Sequence, residues 1–166
     1  MGVKESDEAY MRLAIQEAKN GFDRGEVPVG AVLVFQNQVV AAFSNQVESL
    51  MDATAHAEML CLKKGFSVLK NWRLMDCVLY TTLEPCPMCA GALISSRIKR
   101  VVWGAPDLRQ GAGGSLISLL GQKHPIHTVE VSSNVLGEES SHLMKLFFQR
   151  RRAWKKSLKI SLNSNT

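Results

Sequence analysis

Two cysteines have the spacing that could hold a metal ion. Cys86 and Cys89 are separated by two residues, which places two thiolates one helical turn apart on the same face of a helix start. Alone, a C-x-x-C pair is also typical of a redox dithiol or of two ordinary buried cysteines. A further ligand from elsewhere in the chain is needed to favour zinc.

His56 is the candidate for that ligand. The chain holds no second C-x-x-C, so a structural zinc site made only of cysteines is excluded. Three protein ligands leave a fourth position for a water, whose pKa a catalytic zinc lowers toward about 7. His56 and Cys86 are both predicted near helix N-termini, whose positive dipole ends favour thiolates. The pattern predicts a catalytic zinc centre held by His56, Cys86 and Cys89.

Glu58 is the candidate proton carrier. It lies two residues after His56, about 200° around an ideal helix, so it is not expected to share the first coordination shell. Taken singly, Glu58 is typical of a solvated helix-face carboxylate and His56 of a satisfied core histidine. Together with the two downstream cysteines, they favour the catalytic interpretation.

The elements that must position these residues alternate between helices and strands. Ser6 and Asp7 are predicted caps of a first helix that ends at Asn20. Apolar, often β-branched runs predict strands at 27–35, 39–43, 77–82, 100–104 and 126–131. Further helices are predicted at 53–64, 85–94 and 138–156, with a frayed end at 161–166. The order predicts an α/β fold, a three-layer α/β/α sandwich around a mixed five-stranded sheet opened by an antiparallel hairpin.

Length and composition favour one compact domain over residues 1–166, because 46% of the residues are hydrophobic. No stretch approaches the roughly 18 consecutive apolar residues of a membrane helix, and the first residues are polar. We therefore expect no membrane association and no export. The four cysteines are expected to be reduced, because secretory context is lacking.

The net charge of +5 arises at the C-terminal end of the chain. Residues 140–166 carry seven basic side chains and no acidic one. Phe147 and Phe148 precede Arg150, Arg151 and Arg152, and this mixture of stacking surface and phosphate-neutralising charge suits a single-stranded RNA loop. The alternative is a solvated basic helix end that is favourable to its own dipole.

The residues H-x-E and P-C-x-x-C form the signature of the zinc nucleobase deaminases, and the chain carries it without a gap. Beyond the signature, roughly residues 8 to 155 closely resemble the bacterial tRNA-specific adenosine deaminases. The matching blocks lie at 26–32, 45, 54–58, 82–92, 97–105, 111–115 and 147–148. Their order and spacing are specific.

The resemblance implies a cytidine-deaminase-like fold, one Zn²⁺ per subunit, a homodimer and a bacterial cytoplasm. It implies hydrolytic conversion of adenosine to inosine, with release of ammonia, at the wobble position of a tRNA anticodon, classically in an arginine tRNA. Glu58 would take a proton from the zinc-activated water that attacks C6 of the flipped adenine, and deliver it to the ring and then to the departing ammonia. The backbone N–H groups of Ala57 and Cys86 would steady the tetrahedral centre.

The resemblance also assigns substrate contacts. Asn45 matches a position that hydrogen-bonds the target nucleoside, and Val29 and Leu83 match apolar pocket walls; a turn asparagine and ordinary core residues are the alternatives. Asp107 matches a position near the RNA backbone and neighbouring nucleotides. It follows Pro106, whereas an arginine is common there in relatives, so the local loop geometry is expected to differ.

Two other functions remain open from the residues. The same zinc chemistry serves deaminases of free bases or nucleosides, of the guanine or cytosine type, and the basic C-terminal helix argues for RNA instead. A non-catalytic, zinc-stabilised RNA-binding subunit would lack the shuttle carboxylate, and Glu58 argues against it.

Overall fold

A five-stranded mixed sheet organises the chain, in a computed structural model that describes residues 3–163 and the side chains of residues 6–160. The strands are β1 (Gly30–Phe35), β2 (Gln38–Ser44), β3 (Cys77–Leu83), β4 (Arg100–Ala105) and β5 (Glu130–Ser132). The helices are α1 (Val3–Asp23), α2 (Val47–Leu50), α3 (Ala57–Leu69), α4 (Pro87–Ser95) and α5 (Gly137–Asn163).

The spatial order of the strands is β2-β1-β3-β4-β5. Strand β1 runs antiparallel to both of its neighbours, β2 and β3. Strands β3, β4 and β5 are parallel to one another. The start of β1 and the ends of β2, β3 and β4 therefore share one edge of the sheet. The loops that leave this edge carry the candidate functional residues.

Alternate residues of the central strands enter two separate cores, because successive side chains of a strand point to opposite faces. The core on the side of α3 and α4 contains Ala31, Leu33, Leu79, Val101 and Trp103. The core on the side of α1 contains Val32, Val34, Tyr80 and Val102. The predicted five-stranded sheet, its opening hairpin and the helices on both faces are confirmed.

Helix α1 rests directly on the beginning of β1. A Cβ atom placed on Gly30 would lie 1.9 Å from the carbonyl oxygen of Ala14 and 2.5 Å from the backbone nitrogen of Ala18. Both alanines are fully buried. Only a glycine permits this approach of helix and strand, since any side chain would overlap with the helix backbone.

The predicted cap of the first helix is wrong. Helix α1 begins at Val3, so Ser6 and Asp7 lie inside it. Asp7 is buried and accepts hydrogen bonds from the Tyr80 hydroxyl at 2.9 Å and from both terminal nitrogens of Arg100, at 3.0 and 2.6 Å. Its carboxylate links α1 to β3 and β4 instead of capping the helix.

Other boundaries differ from the prediction by a few residues: β1 begins at Gly30, α1 continues to Asp23 and α3 to Leu69. Helix α3 begins four residues later than expected, because the carboxylate of Asp52 accepts hydrogen bonds from the backbone N–H and hydroxyl of Thr54 and forms a turn there. Helix α4 begins at Pro87. Strand β5 covers only the end of the predicted run 126–131, since its pairing with β4 begins at Glu130.

Helix α5 is longer than predicted and continues to Asn163. The expected fraying is therefore wrong for residues 161–163, because no glycine or proline after Gly137 interrupts the helix. Residues 164–166 of the predicted frayed end lie outside the described residues. Within residues 3–163, no helix combines the length and the apolar character that crossing a membrane requires.

Candidate metal and active site

Two helix starts converge on the functional edge of the sheet. His56 is the N-cap residue of α3, and Cys86 is the N-cap residue of α4. Pro87 occupies the first turn of α4, where its missing N–H costs no hydrogen bond and its fixed φ suits the helix. Cys89 follows one turn later and is fully buried. The start of α4 thus presents both sulfur atoms toward His56.

The distances within this cluster fit a tetrahedral zinc ion. The Nδ1 atom of His56 lies 3.6 Å from Sγ of Cys86 and 3.5 Å from Sγ of Cys89. Zinc–sulfur bonds of about 2.3 Å and a zinc–nitrogen bond of about 2.0 Å, at a tetrahedral angle, would separate nitrogen and sulfur by roughly 3.5 Å. The ligand atoms of these three residues all lie within 4.8 Å of one another, which is close enough to hold one metal ion. The donor set leaves one position open.

The electrostatics of the cluster favour a bound cation. Hydrogen bonds from Cys89 and His56 lower the pKa of Cys86 to about 4, so its sulfur is a thiolate at neutral pH. The hydrogen bond with Cys86 raises the pKa of His56 above its ordinary value. A thiolate at the N-terminus of a helix, beside a second sulfur and an imidazole, is a strong ligand set for a divalent metal of borderline softness.

Glu58 lies beside the cluster and outside it. The side chain is in the first turn of α3, is 4% exposed, and its Oε2 atom has no hydrogen-bond partner. Burial raises the pKa of this carboxyl above its ordinary value. A buried carboxyl with an unpaired oxygen and a raised pKa holds a proton more readily than an exposed one, which suits a general acid–base group.

A cavity of about 600 Å³ opens at this edge of the sheet, and its size suits a small ligand. His56, Glu58 and Cys86 line it. All five predicted substrate-binding residues line it too: Val29, Asn45, Ala57, Leu83 and Asp107. Residues that were predicted from the sequence as metal ligands, as proton carrier and as substrate contacts therefore line one cavity.

Asn45 is 7% exposed and is held by a residue to which the sequence assigned no role. Its side-chain Nδ2 donates to Oε2 of Glu26 at 3.2 Å. The same carboxylate accepts the backbone N–H groups of Glu48 at 3.2 Å and Ser49 at 2.7 Å. An acidic residue between the Gly25 turn and an apolar strand is the sequence signal that could have drawn attention to Glu26.

Asp107 belongs to a loop that a second buried carboxylate holds in place. Its backbone N–H donates to Glu84 at 2.9 Å, and Gly113 and Ser115 donate to the same side chain. Burial raises the pKa of Glu84, but these hydrogen bonds outweigh the effect of burial, and the pKa lies below its ordinary value. One oxygen of Asp107 accepts the backbone N–H groups of Arg109 and Gln110.

The predicted RNA-binding residues divide into three groups. Phe148 lines the cavity. Phe147 is only 4% exposed and makes an edge contact with Phe22 of α1, with 5.7 Å between the ring centroids. Its burial leaves little of the ring accessible, and its predicted contact with RNA stays a prediction. The exposed group comprises Arg150, Arg151 and Arg152.

These three arginines lie outside the catalytic cavity. The guanidinium of Arg150 is 5.7 Å from the ring centroid of Phe22, and that of Arg151 is 5.9 Å from the ring centroid of Phe147. Arg150 and Arg151 also line a neighbouring groove with the exposed Trp154. Because Glu48 lines both this groove and the cavity, the positive charge of Arg150 and Arg151 lies next to the cavity.

Residues 4–105 match the family described as the cytidine and deoxycytidylate deaminase zinc-binding region. The matched range contains the whole His/Cys/Cys cluster and Glu58. Zinc is thereby confirmed as the predicted cofactor.

Similar proteins narrow the family further. The tRNA-specific adenosine deaminase of Bacillus subtilis (strain 168) is 45% identical over 157 residues, covering 95% of this chain and 98% of the relative. The chloroplastic tRNA(adenine(34)) deaminase of Arabidopsis thaliana is 46% identical over 161 residues and 87% of this chain, which spans 12% of that longer protein. A solved structure from studies of A-to-I editing by tRNA:A34 deaminases superposes with a TM-score of 0.78 at 39% identity, covering 81% of this chain and 98% of the other. The chain therefore belongs to the cytidine and deoxycytidylate deaminase family, and within it to the group of the tRNA-specific adenosine deaminases.

Proposed function

We propose that the protein hydrolyses the adenine of a tRNA wobble adenosine to hypoxanthine within the RNA, giving inosine and ammonia. One observation carries the proposal: the buried carboxyl of Glu58, with its unpaired Oε2 atom, lines the same cavity as Asn45 and as His56 and Cys86 of the His/Cys/Cys cluster. The arrangement combines a proton carrier, a zinc site with an open position and a polar group able to orient a nucleoside.

Zinc, held by His56, Cys86 and Cys89, would act as a Lewis acid that lowers the pKa of a water toward about 7. Glu58 accepts a proton from the water that attacks C6 of adenine and delivers it to N1 of the ring. A second transfer by Glu58 protonates the amino group, which leaves as ammonia. Water and adenosine are consumed, and inosine and ammonia are formed.

Backbone N–H groups stabilise the negative charge that develops on the oxygen atom attacking C6. Ala57 is the first residue of α3, so its N–H has no acceptor within the helix. Cys86 is the N-cap residue of α4, and its N–H likewise takes no part in the hydrogen bonds of the helix. Donors at two helix starts are suited to an oxygen that gains negative charge during the reaction.

The pocket and α5 provide the contacts with RNA. Asn45 hydrogen-bonds the nucleoside, and Val29 and Leu83 form apolar walls for its base. Phe148 and Asp107 contact the neighbouring nucleotides at the mouth of the cavity. Outside the mouth, the exposed cationic face of α5 neutralises phosphates of the anticodon stem-loop through Arg150, Arg151 and Arg152.

The substrate is tested with zinc-loaded protein and an arginine tRNA anticodon stem-loop that carries adenosine at the wobble position. Free adenosine, cytidine and guanine are assayed in parallel, and a stem-loop with guanosine at the wobble position is the matched control. Inosine is expected only in the first RNA. Turnover of a free base or nucleoside, with the RNA untouched, would refute the RNA substrate and identify the protein as a deaminase of free bases or nucleosides.

A Glu58→Gln variant separates the enzyme from a non-catalytic binding subunit. General acid–base catalysis contributes about 10²- to 10⁴-fold to a rate, so turnover should fall by at least that factor. Zinc content and RNA affinity should stay at the wild-type level, because Glu58 lies outside the metal cluster. Unchanged turnover would contradict the assignment of Glu58.

The proposal includes a homodimer in the cytoplasm. Large apolar side chains are exposed at the end of α2 and directly after it, namely Leu50 and Met51, and Met51 is 93% exposed. A partner subunit would remove this surface from water. The four cysteines are free thiols, which suits a reducing compartment. Sedimentation velocity of the zinc-loaded protein should give the mass of two chains; a single-chain mass at micromolar concentration would refute the dimer.

A further inference from the structure

Glu26 is a buried carboxylate that the proposed mechanism does not use. It is 1% exposed, and no lysine or arginine among residues 6–160 forms an ion pair with it. Burying a carboxylate without a countercharge is unfavourable unless several donors satisfy its oxygens. Three donors do so here, and all three come from the segment 45–49 beside the cavity.

The contact between Glu26 and Asn45 determines which way the amide of Asn45 points. A carboxylate can only accept hydrogen bonds, so the Nδ2 group of Asn45 must face it. The carbonyl oxygen of the amide is consequently turned away from Glu26. The backbone N–H of Asn45 is fixed as well, by donation to the carbonyl oxygen of Val29 at 2.9 Å. The side chain is thus held in one orientation on the wall of the cavity.

The same carboxylate holds the segment that follows Asn45. The backbone N–H groups of Glu48 and Ser49 donate to its two oxygens. Val47 and Glu48 line the cavity together with Asn45. The side chain of Glu26 therefore connects the loop before β1 to the part of the cavity lining that Asn45, Val47 and Glu48 form.

We propose that Glu26 is a positioning residue for substrate, which fixes the amide of Asn45 for its contact with the target nucleoside. This inference rests on the proposed function. Glutamine cannot replace Glu26, because its amide has one oxygen for three donors and its NH₂ group would face an N–H. Freed from the carboxylate, the amide of Asn45 rotates and loses its preferred orientation toward the nucleoside.

A double-mutant cycle tests the proposal on the zinc-loaded, full-length protein. The variants are Glu26→Gln, Asn45→Ala and the combination of both, and Glu130→Gln is the matched control, since Glu130 is an exposed carboxylate on β5. The substrate is the anticodon stem-loop with a wobble adenosine. The readouts are kcat/KM under single-turnover conditions, zinc content and the melting temperature.

Glu26→Gln should lower kcat/KM about tenfold or more in the wild-type background, since it removes a hydrogen bond to a charged acceptor. In the Asn45→Ala background it should change kcat/KM by less than about twofold, because the residue through which it acts is gone. Zinc content should stay constant throughout, and Glu130→Gln should behave as wild type. Where Glu26→Gln does not fold, Glu26→Asp, which retains the charge but is one methylene shorter, takes its place in the cycle.

Equal losses in both backgrounds would overturn the proposal, because a purely structural role does not depend on Asn45. An unchanged kcat/KM for Glu26→Gln would overturn it as well. Should the wild type deaminate a free base and leave the RNA intact, the proposed substrate fails, and the cycle is run with that base, since Asn45 faces the cavity in either case. A wild type that is inert on every substrate refutes the proposed function and this inference together.

Discussion

Replacing Asp7 by asparagine should destabilise the protein strongly, although Asp7 lies in α1, the first helix of the fold. Its carboxylate accepts two hydrogen bonds from the guanidinium of Arg100 and one from the hydroxyl of Tyr80. The side chains of Asp7 and Arg100 are 8% and 17% exposed. Asparagine has one acceptor oxygen and no charge, so it would leave Arg100 largely buried without a countercharge.

The expected magnitude follows from these contacts. Removing one partner of a buried ion pair costs about 3 to 5 kcal/mol, and the partial exposure of Arg100 favours the lower end, about 3 kcal/mol. In a chain of this size each kcal/mol lowers the melting temperature by roughly 2 to 4 °C. We therefore expect Asp7→Asn to lower the melting temperature by about 6 to 12 °C.

The assay is thermal and urea unfolding of the zinc-loaded protein, with Glu139→Gln as the matched control. Glu139 of α5 also forms an ion pair with an arginine of a distant element, Arg12 of α1, but both side chains are at least half exposed. Exposed ion pairs contribute about 0 to 1 kcal/mol, so this variant should melt within a few degrees of wild type. Equal shifts for the two variants, or a shift below about 2 °C for Asp7→Asn, would refute the reasoning.

Three further predictions concern the site. Cys86→Ala should lose most of the bound zinc, measured by elemental analysis after dialysis, whereas Glu58→Ala should retain it; full zinc in Cys86→Ala would remove that residue from the ligand set. The double variant Arg151→Glu, Arg152→Glu should bind the stem-loop more weakly, with zinc content unchanged. The slope of log affinity against log salt concentration should become shallower by about 0.7 for each phosphate contact that is lost. An identical slope would leave these arginines as a solvated helix end. Because the pKa of Glu84 is lowered in the folded state, its carboxylate stabilises the fold above about pH 4.5, and this stabilisation is lost as the pH falls through the pKa of the folded state. The difference in melting temperature between wild type and Glu84→Gln should therefore shrink toward acid. A constant difference from pH 7 to pH 3 would contradict this.

The metal cluster could be predicted from the sequence because its information is local. The spacing of Cys86 and Cys89 fixes two ligands on one helix start, and the position of His56 at the start of another helix needs only a sheet that brings both together. The alternation of strands and helices supplies that sheet. The continuous apolar runs of the central strands were equally informative, since each of these strands contributes to two cores and is apolar on both faces.

Contacts between distant residues could not be predicted in this way. Asp7 and Arg100 are separated by 93 positions, and an aspartate near the start of a helix is ordinarily a cap. Phe147 and Phe148 are adjacent in sequence, and only the packing of α5 against Phe22 decides which of the two is buried. The role of Glu26 depends on the return of the chain to residues 45–49. These positions are set by tertiary packing, on which composition and periodicity carry no information.

The close contact of Gly30 with α1 also bears on the shape of the cavity. Gly30 follows Val29, which lines the cavity, and its backbone N–H donates to the hydroxyl of Thr82, one residue before Leu83, which also lines the cavity. A larger residue at Gly30, or a bulkier one at Ala14, would push the beginning of β1 away from the helix and shift Val29 within the cavity lining. The shape of the cavity is therefore encoded partly in small residues that do not line it. A search for altered substrate preference that varies only the lining positions would leave this adjustment unexplored.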